Sequence, residues 1–387
     1  MLDTIDVVAA GHICLDIIPT FSADARPQDT QLLAGKLLHV GPAVMALGGS
    51  VANTGLALHR LGTTTSLMGK VGDDLFGQLI LDILRRQNPA LAEGMRVAVG
   101  EHSSYSVVIS PRGVDRTFLH YPGANDTFGA GDVDFAQVRK ARVFHFGYPP
   151  IMRQLYSDGG DECATLLHRV KEQGVTTSLD MALPDPSAEA GRVDWQAWLQ
   201  RVLPAVDIFM PSVDEIVYML KEETTAGRVD GPLLSRIAQR CLQWGAAIVA
   251  LKLGDEGLYI RTTDDLVRLQ RLGRGAPHGP QDWHARELLS TCFAVNVVGT
   301  TGAGDCTIAG FLMALLRGQS PEDTLASAVA VGACSVEQAD ATSGVPAWPA
   351  VQARIHEGWA RRPADLALPG WHYNQQQGIR HGPSDTH

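Results

Sequence analysis

Residues Phe293-Ala294-Val295-Asn296-Val297-Val298-Gly299-Thr300-Thr301-Gly302-Ala303-Gly304-Asp305-Cys306-Thr307-Ile308-Ala309-Gly310-Phe311 read as a short apolar strand, a glycine-rich turn and a helix of small residues with an acid in its first turn. The N–H groups at a helix N-terminus have no intrahelical partners and lie at the positive end of the helix dipole. Glycines let such a backbone come close to a phosphate. An aspartate in that position works against anion binding, so it needs a reason. One reason is chemical: Asp305 takes a proton from a hydroxyl while the N–H groups hold the charge on a transferring phosphoryl group. The chain also carries a second copy of the same four letters, Gly129-Ala130-Gly131-Asp132. That copy follows the loop-like Tyr121 to Asp126 and leads into a polar stretch, so it reads as a tight connection only.

Working outward, the same alternation of strand and helix signals runs through most of the chain. Val7 to Gly11, Val143 to Gly147, Thr176 to Asp180, Asp207 to Met210 and Ala247 to Gly254 read as buried strands. Ser50 to Leu61, closed by Gly62, and Asp161 to Gly174, Leu234 to Gly245 and Pro321 to Asp340 read as helices. This alternation implies an α/β domain with a mainly parallel sheet and helices on both faces. Ligands of such sheets bind beyond the carboxyl ends of the strands, where Asp180, Gly254 and Thr300 fall.

Two stretches, about 12–45 and 97–121, show short strands without helices and predict a small separate sheet, a lid. Arg271 to Glu287, with three glycines and two prolines, is expected to be a surface insertion. The polar stretch 356–387 is expected to be a mobile tail, or one draped on the surface, behind a single domain over 1–355.

Composition narrows the classes of function. With 387 residues and 45% hydrophobic content the chain can bury a large core. It has no run of eighteen apolar residues, so no membrane span is expected. A net charge of −10 argues against a nucleic-acid partner but not against an anionic substrate held by backbone N–H groups. The acids near Met1 do not suit a signal peptide. The six cysteines form no C-x-x-C pair, so they read as reduced thiols of a cytoplasmic protein.

Four motifs in order resemble one family, the ribokinase-like (PfkB-type) carbohydrate kinases. They are Gly48-Gly49-Ser50-Val51-Ala52-Asn53 through Gly62, then Gly72-Asp73-Asp74-Leu75-Phe76-Gly77, then Leu251-Lys252-Leu253-Gly254-Asp255-Glu256-Gly257, and the loop Thr300 to Asp305 with Ala309-Gly310. The resemblance spans roughly residues 5 to 350. It implies a ribokinase-like three-layer sandwich with a small β-sheet lid, and an enzyme that moves the terminal phosphate of ATP, bound with Mg²⁺, to a hydroxyl of a sugar or polyol. On this likeness Asp305 is the general base and Gly302, Ala303 and Gly304 supply the anion hole. Asp16, Gly48, Gly49 and Asn53 bind the substrate, with Tyr148 and Asn125 as looser candidates for its walls. Gly254, Gly257 and Thr300 hold the nucleotide, and Glu215 is tied to the metal. A homodimer formed through the lid is the implied assembly.

The sequence also departs from the family pattern. Gly299 stands where members usually carry an aspartate of a monovalent-cation site, which leaves that cation open. Ser50 replaces the lysine of ribokinases proper, which speaks against ribose. Ser212-Val213-Asp214-Glu215 replaces N-x-x-E, and Asp180-Met181-Ala182-Leu183-Pro184 lacks the amide and arginine seen in acid-sugar kinases. A nucleoside kinase of the same fold and a non-catalytic sugar-binding regulatory protein remain the alternatives.

Overall fold

The computed structural model describes residues 4–21, 35, 37–109, 117–224 and 228–387. In chain order the strands are β1 (Ile5–Gly11), β2 (Cys14–Pro19), β3 (Ala43–Gly48), β4 (Thr65–Met68), β5 (Lys70–Gly72), β6 (Arg96–Ala98), β7 (Tyr105–Ile109) and β8 (Thr117–Tyr121). They continue with β9 (Ala141–Gly147), β10 (Thr176–Asp180), β11 (Ile208–Phe209), β12 (Ile248–Lys252), β13 (Leu258–Thr262), β14 (Glu287–Ser290), β15 (His372–Asn374) and β16 (Ile379–His381). Ten of them form one sheet in the order β15-β16-β14-β13-β12-β11-β10-β9-β1-β4. From β4 to β12 every pairing is parallel; from β12 to β15 every pairing is antiparallel.

Side chains alternate between the two faces of a strand, and the core divides accordingly. Val8, Phe144, Val249 and Leu251 pack with Leu166, Trp198, Ile216 and Leu234 of the helices Asp161–Glu172, Trp195–Val202, Val213–Leu220 and Gly231–Gln243. Val7, Val143, Ile248 and Ala250 pack with Leu58, Phe311 and Val331 of the helices Ser50–Leu61, Ala303–Leu316 and Pro321–Ser335. Both faces of the parallel strands are therefore buried, as their near-continuous apolar sequences require. The expected three layers are present.

The small sheet is also present, as β3-β2-β7-β8, with Asp16 opposite Ala46 and Ser106 on the two neighbours of β2. It leaves the main sheet where the chain runs from Gly11 at the end of β1 into Cys14 at the start of β2. Strand β3 continues to Gly48, and the residue before β8 lies outside the described residues.

Three expectations differ from the structure. Residues 293–298 form no strand: Phe293 makes one bridge to Arg361, and Val297 and Val298 are exposed. The 271–287 stretch is not a surface insertion. Leu272 and Trp283 are buried in it, Trp283 meets Phe311 edge-on at 6.0 Å, and the segment joins β13 to β14. The expected mobile or draped tail instead supplies β15 and β16 to the main sheet, with Ile379 fully buried. Its polar character hides this because its partners are polar. Arg286, nearly buried, binds Asp385 at 2.7 Å, and buried Glu287 accepts from Ser384 N at 2.8 Å and from the Tyr259 hydroxyl at 2.9 Å. Among the described residues no helix is long and apolar enough to cross a membrane.

Candidate active site

The helix Ala303–Leu316 begins at Gly302, whose φ of 70° places it in the left-handed region that favours glycine. No side chain caps this helix. Several other helices are closed at the N-cap by an acid or hydroxyl, with Asp74, Asp194, Asp230 and Ser320 each accepting a backbone N–H, whereas those that start at Ser50, Asp161 and Trp348 are not. Gly302 itself offers no side chain to the first-turn amides, an arrangement that suits an incoming anion, although the Ala303 N–H leans on the Thr300 carbonyl at 3.3 Å.

Asp305 lies in that first turn and is almost fully buried. Its carboxylate does not turn back on its own amides but is met by three donors from elsewhere. Tyr148 Oη donates to Oδ2 at 2.8 Å, Asn53 Nδ2 to Oδ2 at 3.1 Å and Thr54 Oγ1 to Oδ1 at 3.3 Å. Burial pushes the Asp305 carboxyl above the usual carboxylate range, while Lys252 and the three hydrogen bonds pull the other way. Tyr148 sits just beyond β9 with a φ of 71°, unusual for a side chain of that size. Burial and the neighbouring Asp305 hold its phenol well above the ordinary value, so it stays a donor.

Lys252 ends β12 and Asp180 ends β10, and their Nζ and Oδ1 are 2.5 Å apart. Both are buried. Burial works against the lysine's charge, but Asp180, Glu215 and Asp305 outweigh it and raise its pKa. Desolvation raises Asp180 in turn, against the pull of Lys252. A Cβ placed on Gly304 would lie 3.4 Å from Lys252 Cδ and 3.6 Å from Nζ, so the lysine lines the turn itself.

The residues expected on the substrate side gather on the small sheet and the start of the helix Ser50–Leu61. Gly48 lets the Asp16 carboxylate rest on the chain: a Cβ there would be 2.4 Å from Oδ2. Gly49, at φ 87°, would press a Cβ to within 2.5 Å of His12 Nδ1. Asp16 is pushed up to about 6 by burial, partly opposed by bonds from Cys14 and Ser106. His12 is buried with neither ring nitrogen bonded, 5.1 Å from the His120 ring and 6.0 Å from Tyr148. Asn53 is found on Asp305 rather than free. Asn125 is structural: it bonds both N–H and C=O of Ile13 and so holds the crossing into β2.

On the other side of the turn, Gly254 has φ 61° with open space around its Cβ position, and Gly257 would drive a Cβ to within 2.0 Å of Ser290 O. The Thr300 carbonyl accepts from Ala303 N at 3.3 Å, which shapes the loop. Glu215 and Ser212 form a capping box: Glu215 Oε2 accepts from Ser212 N at 2.7 Å and Ser212 Oγ from Glu215 N at 3.3 Å. Gly299 has no room for a larger residue, since a Cβ would lie 2.9 Å from Ala339 O and 3.0 Å from Gln338 O.

The arrangement has one buried acid over uncapped amides, with a buried ammonium beside it. The sequence profile of the pfkB family carbohydrate kinases matches residues 6–348. The chain belongs to that family. It is 28% identical over 361 residues to a probable fructokinase-6, chloroplastic, of Arabidopsis thaliana, covering 91% of this chain and 81% of that protein. It is also 28% identical to an uncharacterized sugar kinase of Archaeoglobus fulgidus, over 75% of this chain and 98% of the relative. Among solved structures, Arabidopsis thaliana ribokinase complexed with ribose and ATP superposes with a TM-score of 0.68 at 20% identity, over 90% of this chain and 98% of that one. A putative ribokinase II of E. coli in complex with ATP and Mg²⁺ gives 0.66 at 20% identity, over 91% and 99%. The protein is a carbohydrate kinase with the ribokinase fold.

Thr54 and Lys252 carry no role in the sequence reading, and Asp180 is placed there only at the ligand end of the sheet. Thr54 follows Asn53 in the helix Ser50–Leu61, and Lys252 lies inside the quoted Leu251 to Gly257 motif. Both were within reach of the motifs, whereas the pairing of Lys252 with Asp180, 72 positions away, needs the sheet.

Proposed function

We propose that this kinase transfers the terminal phosphate of ATP to a hydroxyl of a sugar or sugar-like polyol. The observation that carries the reading is Asp305, held by Tyr148, Asn53 and Thr54 over a helix start that no side chain caps. Several relatives are named fructokinases, so fructose is the first acceptor to test.

Asp305 accepts the proton of the acceptor hydroxyl, and its raised pKa makes it a better base than an ordinary carboxylate. Tyr148 and Asn53 fix the carboxylate so that its lone pair faces the acceptor. The backbone N–H groups of Gly302, Ala303, Gly304 and Asp305 meet the charge that develops during transfer. Asp16 accepts hydrogen bonds from sugar hydroxyls, with Gly48 and Gly49 letting the ring lie against backbone and Asn53 completing that wall.

Gly254, Gly257 and Thr300 fit the nucleotide, because the open, left-handed Gly254 leaves backbone to face phosphates. Mg²⁺ bound with ATP supplies charge neutralisation of the phosphates. Glu215 suits such a metal through water, since Ser212 N engages only Oε2. The exposed Val44, Met45, Phe118 and Leu119 on the small sheet support a homodimer through that lid, which sedimentation would test. Six unpaired thiols support a reducing, cytoplasmic setting.

The test is ADP release by purified protein with Mg²⁺-ATP and a panel of ketohexoses, aldoses, polyols and nucleosides, for wild type and Asp305→Asn. Turnover on a sugar that collapses in Asp305→Asn is the expected result. Turnover confined to nucleosides, or none on any member, would overturn the substrate class.

A further inference from the structure

We propose that Lys252 is a catalytic cation of this site, its ammonium group binding the phosphoryl group in flight, with Asp180 as the residue that positions it. The inference rests on the reading of Asp305 and the glycine turn as the transfer site.

A buried lysine paired with one aspartate is a poor way to stabilise a fold, because desolvation offsets most of the attraction. Apolar residues of similar volume would serve as well there, so the pair points to another use. Three carboxylates, those of Asp180, Glu215 and Asp305, act on this single ammonium. Its one hydrogen bond among the described residues goes to Asp180 Oδ1, while an ammonium carries three donors. Asp180 Oδ2 is buried without a partner, so the pair is incomplete on both sides.

Position supplies the rest. The lysine stem runs under Gly304, the middle of the anion-binding turn. Lys252 is also joined to the start of the Glu215 helix, through its bridge to Ser212 and its N–H bond to Pro211 O at 3.0 Å. It therefore stands between the turn and the carboxylate suited to Mg²⁺. During transfer the bond from the acceptor oxygen to the terminal phosphorus forms and the bond from that phosphorus to the β–γ bridging oxygen breaks. The acceptor proton goes to Asp305, and the leaving pair stays on ADP. Lys252 remains protonated throughout and stabilises the equatorial oxygens with its two uncommitted N–H donors, beside the backbone amides of the turn.

Four variants test this: Lys252→Met, Lys252→Arg, Asp180→Asn, and the double variant Asp180→Asn with Lys252→Met, which leaves no unpaired buried charge. Their affinities for AMP-PNP, ADP and AMP are measured by calorimetry with Mg²⁺, alongside kcat, KM for the sugar and thermal melting. Lys252→Met is expected to weaken AMP-PNP by about 10- to 100-fold while AMP is unchanged, as loss of a charge-assisted phosphate contact does. Its kcat is expected to fall at least about 100-fold with KM for the sugar within about threefold. The double variant is expected to melt near wild type yet stay slow, and Lys252→Arg to recover part of the rate.

A double variant that regains wild-type kcat would show that Lys252 only balances Asp180. An unchanged ratio of AMP-PNP to AMP affinity in Lys252→Met would overturn the contact, as would a wild type that binds no nucleotide. An Asp305→Asn variant with full activity would instead break the base assignment and leave the nucleotide affinities to decide Lys252 by themselves.

Discussion

The chain contains Gly-Ala-Gly-Asp twice, and the two copies use their amides in opposite ways. At 129–132 the turn is filled by the protein's own acids. Asp132 Oδ2 accepts from Gly129 N at 3.0 Å, Glu162 Oε1 accepts from Ala130 N at 2.7 Å, and Lys70 stands 3.6 Å from Asp132. At 302–305 the N-cap glycine has no capping side chain, and the Asp305 carboxylate is drawn away by Tyr148, Asn53 and Thr54 from other elements. The letters are the same, but one turn is already satisfied and the other is kept open. What makes an anion site is the destination of the aspartate carboxylate, and distant residues set it.

The largest break in this comparison should come from exchanging each aspartate for asparagine. Asp305→Asn is expected to lower kcat by on the order of 10²–10⁴, the usual worth of a general base. Asp132→Asn should leave kcat within about twofold and cost about 0.5–1.5 kcal/mol in thermal unfolding, the worth of one hydrogen bond. A large rate loss at 132 would erase the distinction between the copies.

The donors on Asp305 give the next test. Tyr148→Phe removes the 2.8 Å bond that favours the ionised carboxylate, so the Asp305 pKa rises further. A general base at Asp305 must be ionised to act, so on the proposed role the acid limb of the kcat profile should move to higher pH, with kcat lower by about tenfold at neutral pH. An acid limb that stays in place would show that Tyr148 does not act through Asp305.

How much of this was legible in the sequence follows from the same contrast. The parallel sheet, its helices and the small sheet could be read because apolar strands, glycine caps and periodic helices are local signals. The glycine turn at 302–304 and the helix that follows it could be read for the same reason. The Lys252–Asp180 pair and the filling of the first turn by Glu162 could not, since both depend on partners brought together by strand order. The C-terminal strands were missed because their polar residues look solvated, yet they satisfy the buried Arg286 and Glu287. The strand expected over 293–298 failed for a related reason: its valines are exposed next to the turn.

A smaller effect separates Asp16 from Asp305. Asp16 has its pKa raised from 3.8 to about 6 by burial. If its ionised form accepts sugar hydroxyls, KM for the sugar should rise as pH falls below about 6, and Asp16→Asn should lose that dependence. The stability sign is the reverse. The folded state holds this proton more tightly than the unfolded chain, so the contribution is complete below 3.8 and is lost as pH climbs through about 6. Asp16→Asn should therefore stabilise the protein at pH 8, by about 1–3 kcal/mol for a shift of this size, while weakening substrate binding. A variant that binds sugar normally at every pH would remove Asp16 from the site.

The smallest expected effect concerns Gly299, three residues before the open turn. A carboxylate at this position would belong to a monovalent-cation site, but even a Cβ here would collide with the backbone oxygens of Ala339 and Gln338. Those carbonyls cannot give way as a flexible side chain would, so Gly299→Asp should lower the melting temperature rather than create a cation site. Wild-type rates in potassium and in sodium should agree within about twofold, because nothing at 299 supplies the charge that would bind either ion beside the phosphates. Strong activation by potassium alone would mean that the open turn depends on a cation held by other groups, and its amides would then share the anion's charge with that ion.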